Sequence, residues 1–323
     1  MNFRTVIDID RWQHTIDYSH SIVSLGSCFA NNIATKLAEN KFRVVASPTG
    51  ILFNPASIAA AVERMLDRRM VVPDELIYSD GRYVSYDLHS AFGGDTRESA
   101  AVTINEAIER GYTALRDADH LIITLGTAWV YRLVSSGEVV ANCHKQPHAA
   151  FRREMLSTDE VVRAMEGVIS RFSADKRITL TLSPVRHLGD GLADNSLSKA
   201  TLRVAINTLC HRYPNVDYFP SYEILLDDLR DYRFYAEDMI HPSTMAVEYI
   251  AERFFDVALS PRAKELMPAV RQVVRGANHR PSNPQSREYI EFCRKQLAAI
   301  ERLPEVDFSE EKRLFEHILQ INL

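Results

Sequence analysis

Four cysteines, Cys28, Cys143, Cys210 and Cys293, are spread thinly over 323 residues with no CxxC pair. A disulfide framework and a structural zinc are both unexpected, and reduced thiols remain available for chemistry. A long basic block is also lacking. The 38 Lys and Arg are outnumbered by 43 Asp and Glu, the net charge is −5, and a nucleic-acid footprint is not suggested. No segment approaches the roughly 18 apolar residues of a membrane span. The opening MNFRTVIDIDRW has no uninterrupted apolar core of signal-peptide length. The expectation is a cytoplasmic protein with no membrane or nucleic-acid partner, no cofactor and no bound metal. What the chain does have is 46% hydrophobic residues, enough for one large core and a small accessory region.

Apolar strand-like runs alternate with segments of helical period, the pattern of a parallel sheet wrapped by helices. The strands are expected at Ser21 to Leu25, Phe42 to Ala46, His120 to Leu125, Arg177 to Leu182 and Val216 to Phe219. Helices are expected at Asn31 to Glu39, Ala56 to Arg68, Thr103 to Arg116, Thr158 to Phe172, Ser196 to Tyr213, Ser221 to Leu229 and Ser243 to Phe255. That order predicts a three-layer α/β/α sandwich with a mostly parallel central sheet. Two insertions, Leu76 to Asp87 and Trp129 to Ala141, turn at Ser79-Asp80-Gly81 and Ser135-Ser136-Gly137 and read as β-hairpins. Beyond about Ser260 long charged helices take over, so residues 1–259 are read as the α/β domain and 260–323 as a helical extension.

Where the first strand ends, Gly26-Ser27-Cys28-Phe29-Ala30 leads into a helix. A glycine turn at a helix N-terminus favours an anion, because free N–H groups and the positive end of the helix dipole converge there. Ser27 and Cys28 are both nucleophile-grade. In an α/β sheet the loops at the carboxyl ends of the strands carry the chemistry. Two more such loops are suggestive: Leu125-Gly126-Thr127-Ala128, and Glu237-Asp238-Met239-Ile240-His241-Pro242-Ser243 just before a helix. Asp238 can orient His241 as a base toward a nucleophile on another strand, which is a triad in outline.

The string GSCFA, with Ser47-Pro48-Thr49-Gly50-Ile51-Leu52-Phe53-Asn54-Pro55, Thr124 to Trp129, Ser183-Pro184-Val185-Arg186-His187, Leu197-Ser198-Lys199-Ala200 and Asp238 to Ser243, resembles the GSCFA family, a branch of the SGNH (GDSL-type) hydrolase-like superfamily. The resemblance runs from about Arg11 to Phe255. It implies an SGNH fold and an ester hydrolase or acyl-transfer site. Laid over the superfamily's blocks, Cys28 falls at the nucleophile position, with Ser27 where an Asp usually stands. Gly50 matches the second block's oxyanion-donating glycine. Gly126 and Thr127 cover the third block without its Asn, and Asp238 and His241 keep the fifth block intact. Losing one oxyanion donor typically costs on the order of 100-fold to 1,000-fold in turnover. Thr127 is expected to replace part of that donor through its hydroxyl or its backbone N–H.

Several residues carry a bland reading beside the sharp one. Cys28 could be a small buried hydrophobe, but its place at a strand-to-helix turn favours catalysis, with a depressed pKa and selective alkylation below neutral pH. Ser27 is the rival nucleophile and, in the reading favoured here, the helix N-cap. Arg186 and His187 follow a strand directly, so they face the cleft either as substrate-binding groups or as loop salt-bridge and capping residues. The same alternatives hold for His89. His144, within Cys143-His144-Lys145-Gln146-Pro147-His148, is read as lining the pocket and not as a metal ligand. The expected partner is a small-molecule or carbohydrate ester, with an acyl carrier as a further candidate. The competing class is a non-catalytic module that binds a carbohydrate or acyl group on the same fold.

Overall fold

A computed structural model describes residues 4–321. In chain order the elements are β1 (Ser21–Gly26), α1 (Cys28–Glu39), β2 (Arg43–Ala46), α2 (Pro55–Leu66), β3 (Ile77–Ser79), β4 (Arg82–Val84), β5 (Gly93–Gly94), α3 (Arg97–Asp117), β6 (His120–Leu125), β7 (Trp129–Leu133), β8 (Val139–Val140), β9 (Phe151–Met155), α4 (Thr158–Ile169), β10 (Arg177–Leu182), α5 (Leu192–Arg212), β11 (Val216–Phe219), α6 (Ser221–Glu223), α7 (Thr244–Ala258), α8 (Pro261–Asn278), α9 (Arg287–Ile300) and α10 (Ser309–Gln320). A π-helical turn, Ile224–Asp228, extends α6.

Five strands form the parallel sheet, in the order β11-β10-β6-β1-β2. β6 is buried at every position and sits at the centre, with Gly26 of β1 and Thr181 of β10 both in register with Thr124. Because side chains alternate across a strand, each face receives its own apolar set. Ile22 and Ile122 face a core built with Phe29, Ile33 and Leu37 of α1 and with Ile250 and Phe254 of α7. Val23, Leu25, Leu121, Ile123 and Leu180 face a second core with Ile58 and Val62 of α2, Met165 of α4 and Leu202 of α5. This is the three-layer α/β/α order expected from the sequence.

α8, α9 and α10 share the first core: Val270, Cys293 and Phe315 belong to the same apolar cluster as α1 and α7. Asn40 Oδ1, just past α1, accepts from Arg271 Nε at 2.7 Å, and Lys41 bonds Glu311 at 2.9 Å.

The differences from expectation are local. Each expected hairpin gains a third strand. β5 is two glycines lying so close to β4 that a Cβ on Gly93 would stand 2.6 Å from the Tyr83 carbonyl oxygen. A Gly-Gly pair has no strand propensity to read, and the close approach is what requires it. β9, paired with β7, lies well beyond the second turn. α3 starts at Arg97 and not at Thr103, because Thr96 and Ser99 form a capping box ahead of the apolar stripe.

Candidate active site at the carboxyl edge of the sheet

Gly26 ends β1 with φ +122°, and a Cβ there would stand 2.1 Å from the Thr124 carbonyl oxygen. Only glycine lets β1 turn this close to β6. Ser27, 1% exposed, is the N-cap of α1: its Oγ accepts from the Phe29 N–H at 3.3 Å. Cys28 follows as the first helical residue, half-buried.

Backbone hydrogen bonds tie the loops of this edge into one layer. Leu52 N–H donates to the Gly26 carbonyl at 2.9 Å, and Gly126 and Thr127 N–H both donate to the Phe53 carbonyl at 2.7 and 3.0 Å. Ser183 N–H donates to Leu125 at 2.8 Å, and Arg186 N–H to Ile240 at 3.1 Å. The last bond brings in the Asp238–His241 turn.

That turn is built around Asp238. Its Oδ1 accepts from the backbone N–H of Ile240 at 2.8 Å and of His241 at 3.0 Å, while Oδ2 lies 2.7 Å from His241 Nδ1. These bonds to the charged form hold the Asp238 carboxyl down at about 2. They also offset the left-handed conformation of Met239, φ 57°, in the same turn. With Nδ1 facing a carboxylate, the ring's Nε2 is left to accept a proton.

The turn and Cys28 lie at the same end of adjacent helices. α7 ends where Ile16 N–H meets the Ala258 carbonyl at 2.7 Å, ahead of β1 and hence at the amino edge of the sheet. Its N-terminus, which follows His241, is therefore at the carboxyl edge. Lys36 of α1 pairs with Glu248 of α7, eight residues after Cys28 and seven after His241.

The other anticipated residues divide. His187 sits edge-on to Phe53, ring centroids 6.0 Å apart, and its Nε2 is buried without a partner. Burial, followed by the charge of Lys199, pushes its pKa down to about 4 against a hydrogen bond to the Gly126 backbone that favours the protonated ring. His187 is thus neutral near pH 7. Arg186 stands 3.8 Å over the Tyr235 ring and 5.4 Å from that of Tyr232. The aromatics ahead of the Asp238 turn thus hold this arginine. His89 packs on the Gly50 turn, where a Cβ on Gly50 would stand 2.2 Å from His89 Cβ.

Four expectations are corrected. The Gly50 N–H is not aimed at a ligand; it closes its own turn onto the Ser47 carbonyl at 2.8 Å. Thr127 is 8% exposed, and both its groups are committed. Its N–H goes to Phe53, while its Oγ1 accepts from Trp129 N–H at 3.1 Å and bonds Ser198 Oγ at 3.0 Å. The Gly126 N–H is likewise spent. His144 lines a pocket between the two small sheets, with Ser79, Arg82 and Asn142, that includes neither Cys28 nor His241: its Nε2 lies 2.6 Å from the Ser85 carbonyl and its own carbonyl accepts from Ser79 Oγ. Burial also pushes the Cys28 thiol up, outweighing the Cys28 N–H that favours the thiolate, so the expected low pKa is not found. Cys143, Cys210 and Cys293 are raised by burial as well.

Sequence reasoning assigned no role to Lys199, which lies beneath the whole edge. It is 2% exposed, and its Nζ donates to the Gly126 carbonyl at 2.6 Å and the Ser183 carbonyl at 2.7 Å. Burial lowers its pKa to about 7. One signal was legible: Lys199 precedes Leu202 and Ile206 by three and seven residues, on the apolar stripe of α5. Beside it, Ser198 Oγ accepts from Ala128 N–H at 2.7 Å. Among the described residues no group of three or more His, Cys, Asp and Glu could hold a metal ion, and no helix is long and apolar enough to cross a membrane.

A model of the GSCFA family matches residues 21–254, and a model described as GSCFA domain protein, C-terminal domain, matches residues 270–321. No curated protein matches the chain. Among solved structures, the Clostridium thermocellum family 3 carbohydrate esterase is similar with a TM-score of 0.35 and 10% sequence identity, over 78% of this chain and 98% of that one.

Proposed function

The chain belongs to the GSCFA family, and from that premise we propose that it is an acyl esterase or acyltransferase acting on an ester or thioester of a small molecule or carbohydrate. The observation that carries the reading is the Asp238–His241 pair, a carboxylate 2.7 Å from Nδ1 of an imidazole whose Nε2 is left free, on the edge that also holds Cys28. Cys28 is favoured over Ser27 as nucleophile because the Ser27 Oγ is buried and spent on capping α1.

In the proposed reaction His241 Nε2 takes the proton from Cys28 as Sγ bonds to the carbonyl carbon. The protonated ring then gives that proton to the departing alcohol or thiol, leaving an acyl thioester on Cys28. Water or an acceptor alcohol, deprotonated in turn by His241, attacks the thioester, and the thiol is restored. A thiol raised by burial suits transfer of its proton during attack, in place of a standing thiolate. Asp238 keeps Nδ1 protonated and the ring aligned. With the Gly50, Gly126 and Thr127 amides spent elsewhere, charge on the carbonyl oxygen falls to the Cys28 N–H.

The same spent amides favour one rival, a module that binds an acyl or carbohydrate group without turning it over. Hydrolysis of p-nitrophenyl acetate separates the two. Activity lost in Cys28→Ala and His241→Ala, with an acetyl adduct on Cys28 trapped in the native protein and absent from His241→Ala, supports the enzyme. Full activity in Cys28→Ala with loss in Ser27→Ala would overturn the nucleophile assignment, and no turnover of this ester or of acetyl thioesters favours the module.

A further inference from the structure

Toward the end of α1 far from Cys28, the helices of the C-terminal region line an open cavity. It lies between the end of α8, the segment 279–286 and α9, and has a volume of about 820 Å³. That is the size of a ligand pocket. α8 reaches α1 through Arg271 and Asn40, twelve residues from Cys28, so the cavity is separated from the candidate active site by about 18 Å of helix.

Its wall contains an unsatisfied group. Gln296 is 4% exposed, lines the cavity, and has a side-chain oxygen with no hydrogen-bond partner. An unpaired buried acceptor costs about 1–3 kcal/mol, which a donor on a ligand would remove. The space beside it depends on Gly276, where a Cβ would stand 3.0 Å from Gln296 Cδ and 3.1 Å from the Phe292 ring.

The aromatic lining narrows the class of ligand. Tyr289 and Phe292 stack on each other, centroids 5.8 Å apart and planes 16° from parallel. His279 is inclined to them by 40° and 54°. With two rings packed on each other and the third inclined to both, they form a bent apolar platform with no parallel slot to clasp a planar base. Charge does not select an anion, since Arg275 and Glu288 oppose each other and Arg275 Nε is spent on the Arg271 carbonyl. Apolar ring surface beside side-chain amides of Gln272 and Gln296 matches a pyranose, with C–H groups on one face and hydroxyls at its edge that both donate and accept.

We propose that this cavity binds a neutral oligosaccharide, one sugar ring lying on the His279–Tyr289–Phe292 platform with a hydroxyl donated to Gln296. The site is independent of the chemistry proposed for Cys28.

The test is ligand-observed NMR of the full chain with cellotriose, maltotriose, xylotriose and chitotriose, with ATP as a planar, anionic comparison. At least one trisaccharide should bind, and Cys28→Ala should bind it equally. Gln296→Leu should weaken binding about tenfold, the loss of one hydrogen bond. Its unliganded Tm should be unchanged or higher, because an unpaired buried group has been removed. Should Gln296→Leu not fold, Gln272→Ala, at an exposed position, should still weaken binding. The proposal is overturned if none of the four sugars binds, if ATP is preferred, or if the folded variant binds as tightly as the native protein.

Discussion

Asp238 holds His241 at two points, through the backbone N–H at 3.0 Å and through ring Nδ1 at 2.7 Å. One carboxylate thus sets both the path of the turn and the direction of the imidazole. Asp238→Asn, which keeps the shape but not the charge, should lower kcat for an acyl ester about 10²-fold to 10⁴-fold, with little change in KM. Steady-state kinetics at pH 7 beside a melting curve would check this, since a fall in Tm with unchanged kcat would make Asp238 a turn residue alone.

Ser27→Ala and Cys28→Ala should separate cleanly. Loss of the cap bond to Phe29 costs about 1 kcal/mol of stability and leaves esterase activity in place. Cys28→Ala should be the reverse, inactive and close to native in stability. Denaturant melts and p-nitrophenyl acetate assays on both proteins give the comparison.

Gly26→Ala should be far more damaging than its size suggests. The added Cβ meets the Thr124 carbonyl oxygen at 2.1 Å on a backbone with φ +122°. Either β1 separates from β6 or the turn is rebuilt, at a cost of about 3 kcal/mol or more. Poor soluble yield, or a Tm reduced by about 5 °C or more, is the expected result.

Lys199 gives a signature in alkaline solution. Its pKa is lowered from 10.5 to about 7 in the folded protein, so between those values the unfolded chain binds one more proton. Stability therefore rises with pH across that window, by about 1.4 kcal/mol per pH unit at most, and the contribution is absent below pH 7. The native protein minus Lys199→Met should show this slope in urea melts between pH 7 and 10. A flat difference would mean that Lys199 stays charged between its two carbonyls.

His187 works on the acid side. A pKa lowered from 6.5 to about 4 means that the unfolded chain takes up the proton first. Stability is fully present above about pH 6.5 and falls as pH drops toward 4, by on the order of 3 kcal/mol over the window. His187→Gln should remove that part of the acid sensitivity.

Much of this was legible in the sequence because the signals are local. The five parallel strands and the Asp238–His241 spacing could be read from alternation and from a three-residue offset. The fates of the Gly50 and Thr127 amides could not, because each is decided by a carbonyl, Ser47 in its own turn and Phe53 seventy-four residues away. Lys199 was hidden for another reason. A lysine reads as a surface residue until two carbonyls from the loops after β6 and β10 are found at its Nζ.

The bonds that join the loops after β1, β2, β6 and β10 run almost wholly between main-chain atoms. Such a mesh is blind to side-chain identity but not to chain length. Away from Gly26, Ser198 and Lys199, point substitutions on this rim leave the main-chain bonds intact, whereas one residue inserted between Gly50 and Phe53 would displace the carbonyl that Gly126 and Thr127 share and shift the neighbouring loops with it. Room for lengthening lies in the two three-stranded flaps, whose tips at Gly81 and Gly137 have nothing within 4 Å of an added Cβ. Diversification of this fold would therefore come by growth at the flaps and by exchange of side chains at the rim.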